Sequence, residues 1–116
     1  MPESTIGART ISPSLQGILT ELRGRLEKLY GDRLVRLMLF GSQARGDARS
    51  WSDIDVLVVL KGPVNPHREI MRTEEILSDL SLDHNVVLSG LYMEEERFLH
   101  SSDPLMVNLR RESIEV

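Results

Sequence analysis

Two aspartates and a glycine-serine turn are the residues of this chain whose types and spacing could do chemistry. They lie in Leu39-Phe40-Gly41-Ser42-Gln43-Ala44-Arg45-Gly46 and in Ser52-Asp53-Ile54-Asp55. Side chains two apart on a strand point to the same face, so Asp53 and Asp55 aim together. Held close they repel, which tends to raise one pKa. A divalent cation reverses that repulsion, and magnesium takes oxygen ligands, usually one or two carboxylates plus substrate phosphates. The same pair also has a plainer reading, in which Asp53 caps the start of a strand and Asp55 pairs with an arginine. Gly41 lacks a Cβ and lets a backbone approach a ligand closely. Ser42 offers a hydroxyl, and the N–H groups of the turn can cradle phosphate oxygens. Arg45 either adds charge-assisted hydrogen bonds to a phosphate or sits in a structural ion pair. Gly46 serves the shape of the backbone.

Other phosphate loops do not fit. Gly41 to Gly46 has the glycine spacing of a P-loop, but Asp47-Ala48 stands where Lys-Ser/Thr is required. The Gly-x-Gly-x-x-Gly dinucleotide pattern is absent. The totals remove further classes. With 116 residues the chain is expected to form one domain over 12–116, after a flexible N-terminal tail over 1–11. There are no cysteines, which excludes a disulfide framework and thiolate metal sites. A formal net charge of -4 argues against a footprint for duplex nucleic acid. No apolar run reaches the roughly 20 residues that span a bilayer, and MPESTIGART lacks an apolar signal core. These features fit a cytoplasmic protein.

The elements that must position the site follow from periodicity. Ser12 and Pro13 start a helix as N-cap and first residue, and Leu15, Ile18, Leu19, Leu22, Leu26 and Leu29 give it one buried stripe. Leu34 to Phe40 reads as a strand. Gly41 to Ser52 is a polar turn with a short helix near Ser42–Arg45. Asp53 to Leu60 is apolar on both faces beyond its first residues, which predicts a central strand of a covered sheet. Asn65-Pro66 opens a second helix carrying Ile70, Ile76, Leu77 and Leu80. Asn85 to Met93 is a third strand, Glu94 to His100 a short helix, and Asp103-Pro104 opens a last helix with Leu105, Met106, Val107 and Leu109. Ile114 and Val116 add an edge contact. The short first connection predicts an antiparallel pair, and the helix after the second strand gives a crossover. The fold class is α/β (α+β), a small mixed sheet of three to four strands with flanking helices.

Gly-Ser, ten residues, then Asp-x-Asp resembles the nucleotidyltransferase superfamily that includes DNA polymerase beta. Ala44-Arg45-Gly46 and Ser52-Asp53-Ile54-Asp55 match its short members, the minimal nucleotidyltransferases of the MntA antitoxin type. Four fixed positions at about 6% each recur by chance in roughly one chain in a thousand, so the match is specific. The resemblance implies the nucleotidyltransferase fold. It implies that Gly41 and Ser42 grip the triphosphate of ATP, that Asp53 and Asp55 bind two Mg2+ ions, and that a nucleotide passes to an acceptor hydroxyl. It further implies a helical HEPN-domain toxin as partner, adenylylated and neutralised in a toxin–antitoxin pair, or completion of the acceptor site by a second copy. An antibiotic nucleotidyltransferase is less apt, because those enzymes usually carry an extra helical domain. A nucleotide-binding antitoxin acting by occlusion is the non-enzyme alternative.

The family usually has a third carboxylate before a run such as Val86-Val87-Leu88-Ser89. Here that residue is Asn85, whose amide can ligate a metal but cannot act as a base. Asp83 lies two residues earlier and would share its face if the strand extended that far. His67, His84 and His100 lack metal-ligand spacing. Trp51 could stack on a base but more simply covers the turn. Glu94-Glu95-Glu96 and Arg110-Arg111 suit the two ends of short helices through the helix dipole.

Overall fold

The computed structural model describes residues 11–46 and 53–116. Helix α1 (Pro13–Tyr30) starts where expected: the Ser12 side chain accepts from the Leu15 N–H at 3.2 Å, and Pro13 occupies the first turn. Its buried stripe runs through Leu15, Ile18, Leu19, Leu22 and Leu26 to Tyr30. Leu29, expected in that stripe, is 42% exposed. Four-residue steps from Leu22 through Leu26 lead to Tyr30, so Leu29 falls at the stripe's edge. Of the expected tail, only Ile11 lies within the described residues, where it packs partly buried on the core.

A 3-10 turn (Gly31–Arg33) leads to β1 (Leu34–Phe40), the four-residue helix α2 (Ser42–Arg45) and β2 (Ile54–Leu60). Helix α3 (Pro66–His84) crosses to β3 (Leu88–Glu94), followed by α4 (Glu95–His100), α5 (Pro104–Glu112) and β4 (Ile114–Glu115). The sheet order is β3-β2-β1-β4. β1 pairs antiparallel with β2 and β4, and β2 pairs parallel with β3. This is the expected mixed sheet with β2 inside it. Ile54 and Val56 to Leu60 are each no more than 3% exposed. One face, with Val56, Val58 and Leu60, packs on α1 and α3; the other, with Leu57 and Val59, packs on Phe98, Met106 and Leu109 of α4 and α5. Truncating a leucine of this double layer would cost about 2–5 kcal/mol.

Helix α3 departs from its apolar pattern. Ile70 is 49% exposed, whereas Glu69 and Thr73 are buried. Glu69 accepts a 2.7 Å hydrogen bond from the Tyr30 hydroxyl, and the Thr73 hydroxyl donates to the Glu69 carbonyl at 2.8 Å and hydrogen-bonds the Tyr92 hydroxyl. Burial, then the bond to Glu69, pushes the Tyr30 phenol well up. Gly90 makes room for this network: a Cβ there would stand 2.6 Å from the Tyr92 hydroxyl oxygen. Arg110 also does more than complement a dipole. It donates to the Phe98 and Ser101 carbonyls at 2.7 and 2.8 Å, satisfying the end of α4. No described helix is long and apolar enough to cross a membrane.

Candidate active site

The end of β1 and the start of β2 converge on one spot. Phe40 is the register partner of Asp55 across the antiparallel pair. Immediately after Phe40 the chain turns at Gly41, with φ 76°, in a region that side-chain-bearing residues rarely adopt. The Gly41 carbonyl accepts from the Ala44 and Arg45 amides, both at 3.1 Å, which winds α2. The amides ahead of those two have no earlier helical carbonyl to bond. Gly46, at φ 81°, closes α2 by donating to the Ser42 carbonyl at 3.0 Å.

The Asp55 carboxylate lies against this turn. A Cβ built on Gly41 would stand 2.5 Å from Asp55 Oδ2. The glycine is therefore required twice, by its backbone angle and by the acid packed over it. Burial raises the Asp55 pKa above the usual carboxylate range; the charge of Asp53 raises it further, and Arg45 opposes both. That coupling puts the two acids and the arginine in one electrostatic neighbourhood. The plainer reading, Asp55 satisfied by an arginine, leaves the acid still raised.

The remaining sequence candidates divide. Arg45 stands 3.7 Å from Glu112 of α5, an exposed ion pair that sequence reasoning could not have located. Asn85 is not on a strand. It is the C-cap of α3, at φ 55° and ψ 47°, and its N–H donates to the Leu82 carbonyl at 3.4 Å. Asparagine tolerates that left-handed position better than most residues, which accounts for its presence without any chemistry. β3 begins only at Leu88, so Asp83 is an exposed residue in the last turn of α3 rather than a strand neighbour of Asn85. The residue in register with Asp55 on β3 is Ser89, which the sequence reading passed over. The Val86-Val87-Leu88-Ser89 run carried the signal, and only the register places its last member beside the acid.

His84 pairs with Glu21 of α1 at 3.1 Å and His100 lies 3.8 Å from Glu96, so both have surface partners. Trp51 and Ser52 lie outside the described residues. No group of three His, Cys, Asp or Glu able to hold a metal occurs among the described residues. Asp53 and Asp55 offer the kind of oxygen donors that magnesium takes together with phosphate oxygens and water, and a cation would relieve the part of the Asp55 shift that Asp53 causes.

Comparison with known proteins agrees with this geometry. Residues 19–109 match the family described as "Nucleotidyltransferase domain". A protein of Methanocaldococcus jannaschii, provisionally named a protein adenylyltransferase, is 34% identical over 100 residues, covering 82% of this chain and 66% of that protein. The chain thus spans just under two thirds of that relative's length. Among solved structures, a toxin-antitoxin crystallised with AMP-PNP superposes with a TM-score of 0.56 at 17% identity, covering 81% of this chain and 68% of that one. A provisionally assigned nucleotidyltransferase of Sulfolobus solfataricus gives a TM-score of 0.56 at 18% identity, covering 94% of this chain and 90% of that one. At those identities the two structures speak for the fold alone.

Proposed function

This chain belongs to the nucleotidyltransferase-domain family, and on that premise we propose that it transfers AMP from magnesium-bound ATP to a hydroxyl of a partner protein, the hydroxyl oxygen bonding to the α-phosphorus, its proton passing to solvent and pyrophosphate leaving. One observation carries the reading: the Asp55 carboxylate is folded onto the Gly41 turn, with Oδ2 2.5 Å from where a Cβ would be. Metal ligands and phosphate cradle are then neighbours, as a metal–triphosphate requires. Asp53 and Asp55 would hold the metal, two ions being expected of the family. Gly41 and Ser42 would receive the triphosphate through the turn's amides and the serine hydroxyl. Arg45 would have to exchange Glu112 for phosphate. Magnesium held by these acids would supply the positive charge that an in-line displacement at phosphorus needs.

The acceptor we favour is a helical HEPN-domain toxin, the chain acting in the cytoplasm as its antitoxin. The support is the name protein adenylyltransferase carried by a relative and the toxin-antitoxin likeness of fold. One observation favours a second reading, nucleotide binding with little transfer. Asn85 caps a helix, and Ser89, not an acid, is the register partner of Asp55.

The test is incubation with α-labelled ATP, Mg2+ and the product of the neighbouring reading frame. Transfer predicts a labelled partner, with label lost on Asp55→Asn. No label from the native protein, with label gained on Asn85→Asp or Ser89→Asp, would establish the binding-only reading.

A further inference from the structure

The far end of the sheet carries a second feature unconnected with the acids. A cavity of about 590 Å3 opens between the turn after β2 and the first turns of α3. Four cationic residues line it, Arg33, Lys61, Arg68 and Arg72, with one acid, Glu69. This concentration occurs in a chain whose formal net charge is -4. Two of the cations are committed to the fold. Arg33 donates to the Lys61 and Pro63 carbonyls at 3.1 and 3.2 Å, which fixes the shape of the turn. Arg72 stands 3.8 Å from the buried Glu69, whose carboxylate also accepts from Tyr30. Lys61 and Arg68 are different. Both are exposed, and neither side chain has a hydrogen bond or ion pair among the described residues.

We propose that this cavity binds a small phosphorylated molecule, its phosphate or diphosphate group held between Lys61 and Arg68. The guanidinium fork and the ammonium point charge are the two side-chain groups suited to phosphate oxygens. The Arg33 clasp pre-shapes the cavity, so little ordering is needed on binding. The surroundings decide the size of the ligand. Across the Lys61–Pro63 turn, the neighbouring surface is lined by Glu94, Glu95 and Glu96. A nucleic acid needs a continuous basic track, and here acids end the track within one turn. A compact anion placed between Lys61 and Arg68 stays on the cationic side of that turn, and the acid of the cavity, Glu69, is itself buried and bonded to Tyr30. The site is distinct from the Gly41 turn, since Leu60 lies five residues along β2 from Asp55, about 17 Å at 3.3 Å per residue.

The experiment is calorimetric titration of the full chain in EDTA and low salt with three probes: inorganic pyrophosphate, AMP and a short single-stranded oligonucleotide. Pyrophosphate or AMP should bind saturably at one site. Binding should weaken about tenfold or more in the Lys61→Gln, Arg68→Gln double variant, the scale of losing one or two charge-assisted contacts. It should persist in Asp55→Asn. Whichever of pyrophosphate and AMP binds more tightly identifies the phosphate carrier as inorganic or nucleoside. The proposal is overturned by no saturable binding, by unchanged binding in a double variant with native circular dichroism, or by tighter binding of the oligonucleotide.

Discussion

Asp55 and Glu69 are both acids folded against the same sheet, and the molecule treats them oppositely. Glu69 is 2% exposed and is given a hydroxyl donor, Tyr30, and a guanidinium, Arg72. Its position is complete without anything from outside. Asp55 is less buried, yet its pKa is raised by burial and by a second carboxylate, with Arg45 in opposition. The first arrangement is architecture: a buried carboxyl with its partners supplied. In the second the carboxyl is buried beside another acid without a comparable set of partners, which is the kind of position the proposed metal site calls for. Burial alone does not distinguish them; the partners do.

The largest expected effect comes from filling the space between turn and acid. Gly41→Ala puts a Cβ 2.5 Å from Asp55 Oδ2 at a φ of 76°. Stability should fall by about 2 kcal/mol or more, and nucleotide transfer by roughly 100-fold or more, as expected when the acid is displaced by an ångström. Denaturant melts and a transfer assay at saturating ATP measure the two. Wild-type transfer in Gly41→Ala would break the link between turn and acid.

Next in size is the structural acid. Glu69→Ala leaves the Tyr30 hydroxyl without its partner in the core and should cost about 1–3 kcal/mol. Affinity for Mg-ATP should be unchanged in the fraction that remains folded. Chemical denaturation followed by circular dichroism, alongside a nucleotide titration, separates the two readouts.

The smallest effect has the more telling sign. Because the folded state holds the Asp55 proton more tightly than the unfolded chain does, ionising Asp55 opposes folding. The penalty is absent below the ordinary value of 3.8, grows as pH rises above it, and is complete once pH exceeds the raised value. Asp55→Asn should therefore raise the Tm of the metal-free protein at pH 7, with the gain shrinking as pH falls toward 3.8. A lower Tm at pH 7 would place Asp55 in the same class as Glu69.

The same contrast explains what could be read from residues alone. The Gly41-Ser42 turn, β1 and β2 are local: an apolar run, a glycine and a second apolar run fix one another within Leu34–Leu60, although β2 starts at Ile54, one residue after the expected Asp53. The start of β3 is not local. It depends on where α3 stops, and that is set by Asn85 entering the left-handed region after a 19-residue helix. The expected strand Asn85 to Met93 therefore starts three residues late, at Leu88, and Asp83, which would share its face only if the strand reached that far, stays in α3. Leu29 and Ile70 are more exposed than periodicity predicts for a related reason. Hydrophobicity marks which residues can be buried, while Tyr30 and Glu69 are buried because each supplies the other's hydrogen bond.

Titration of Mg-ATP against the native protein and Asp53→Asn tests the central claim most directly. The account predicts saturable, magnesium-dependent binding to the native chain, abolished by EDTA and weakened at least about tenfold in the variant, the loss expected when one of two carboxylates leaves a shared cation. Equal affinity in both proteins, or binding indifferent to magnesium, would contradict it.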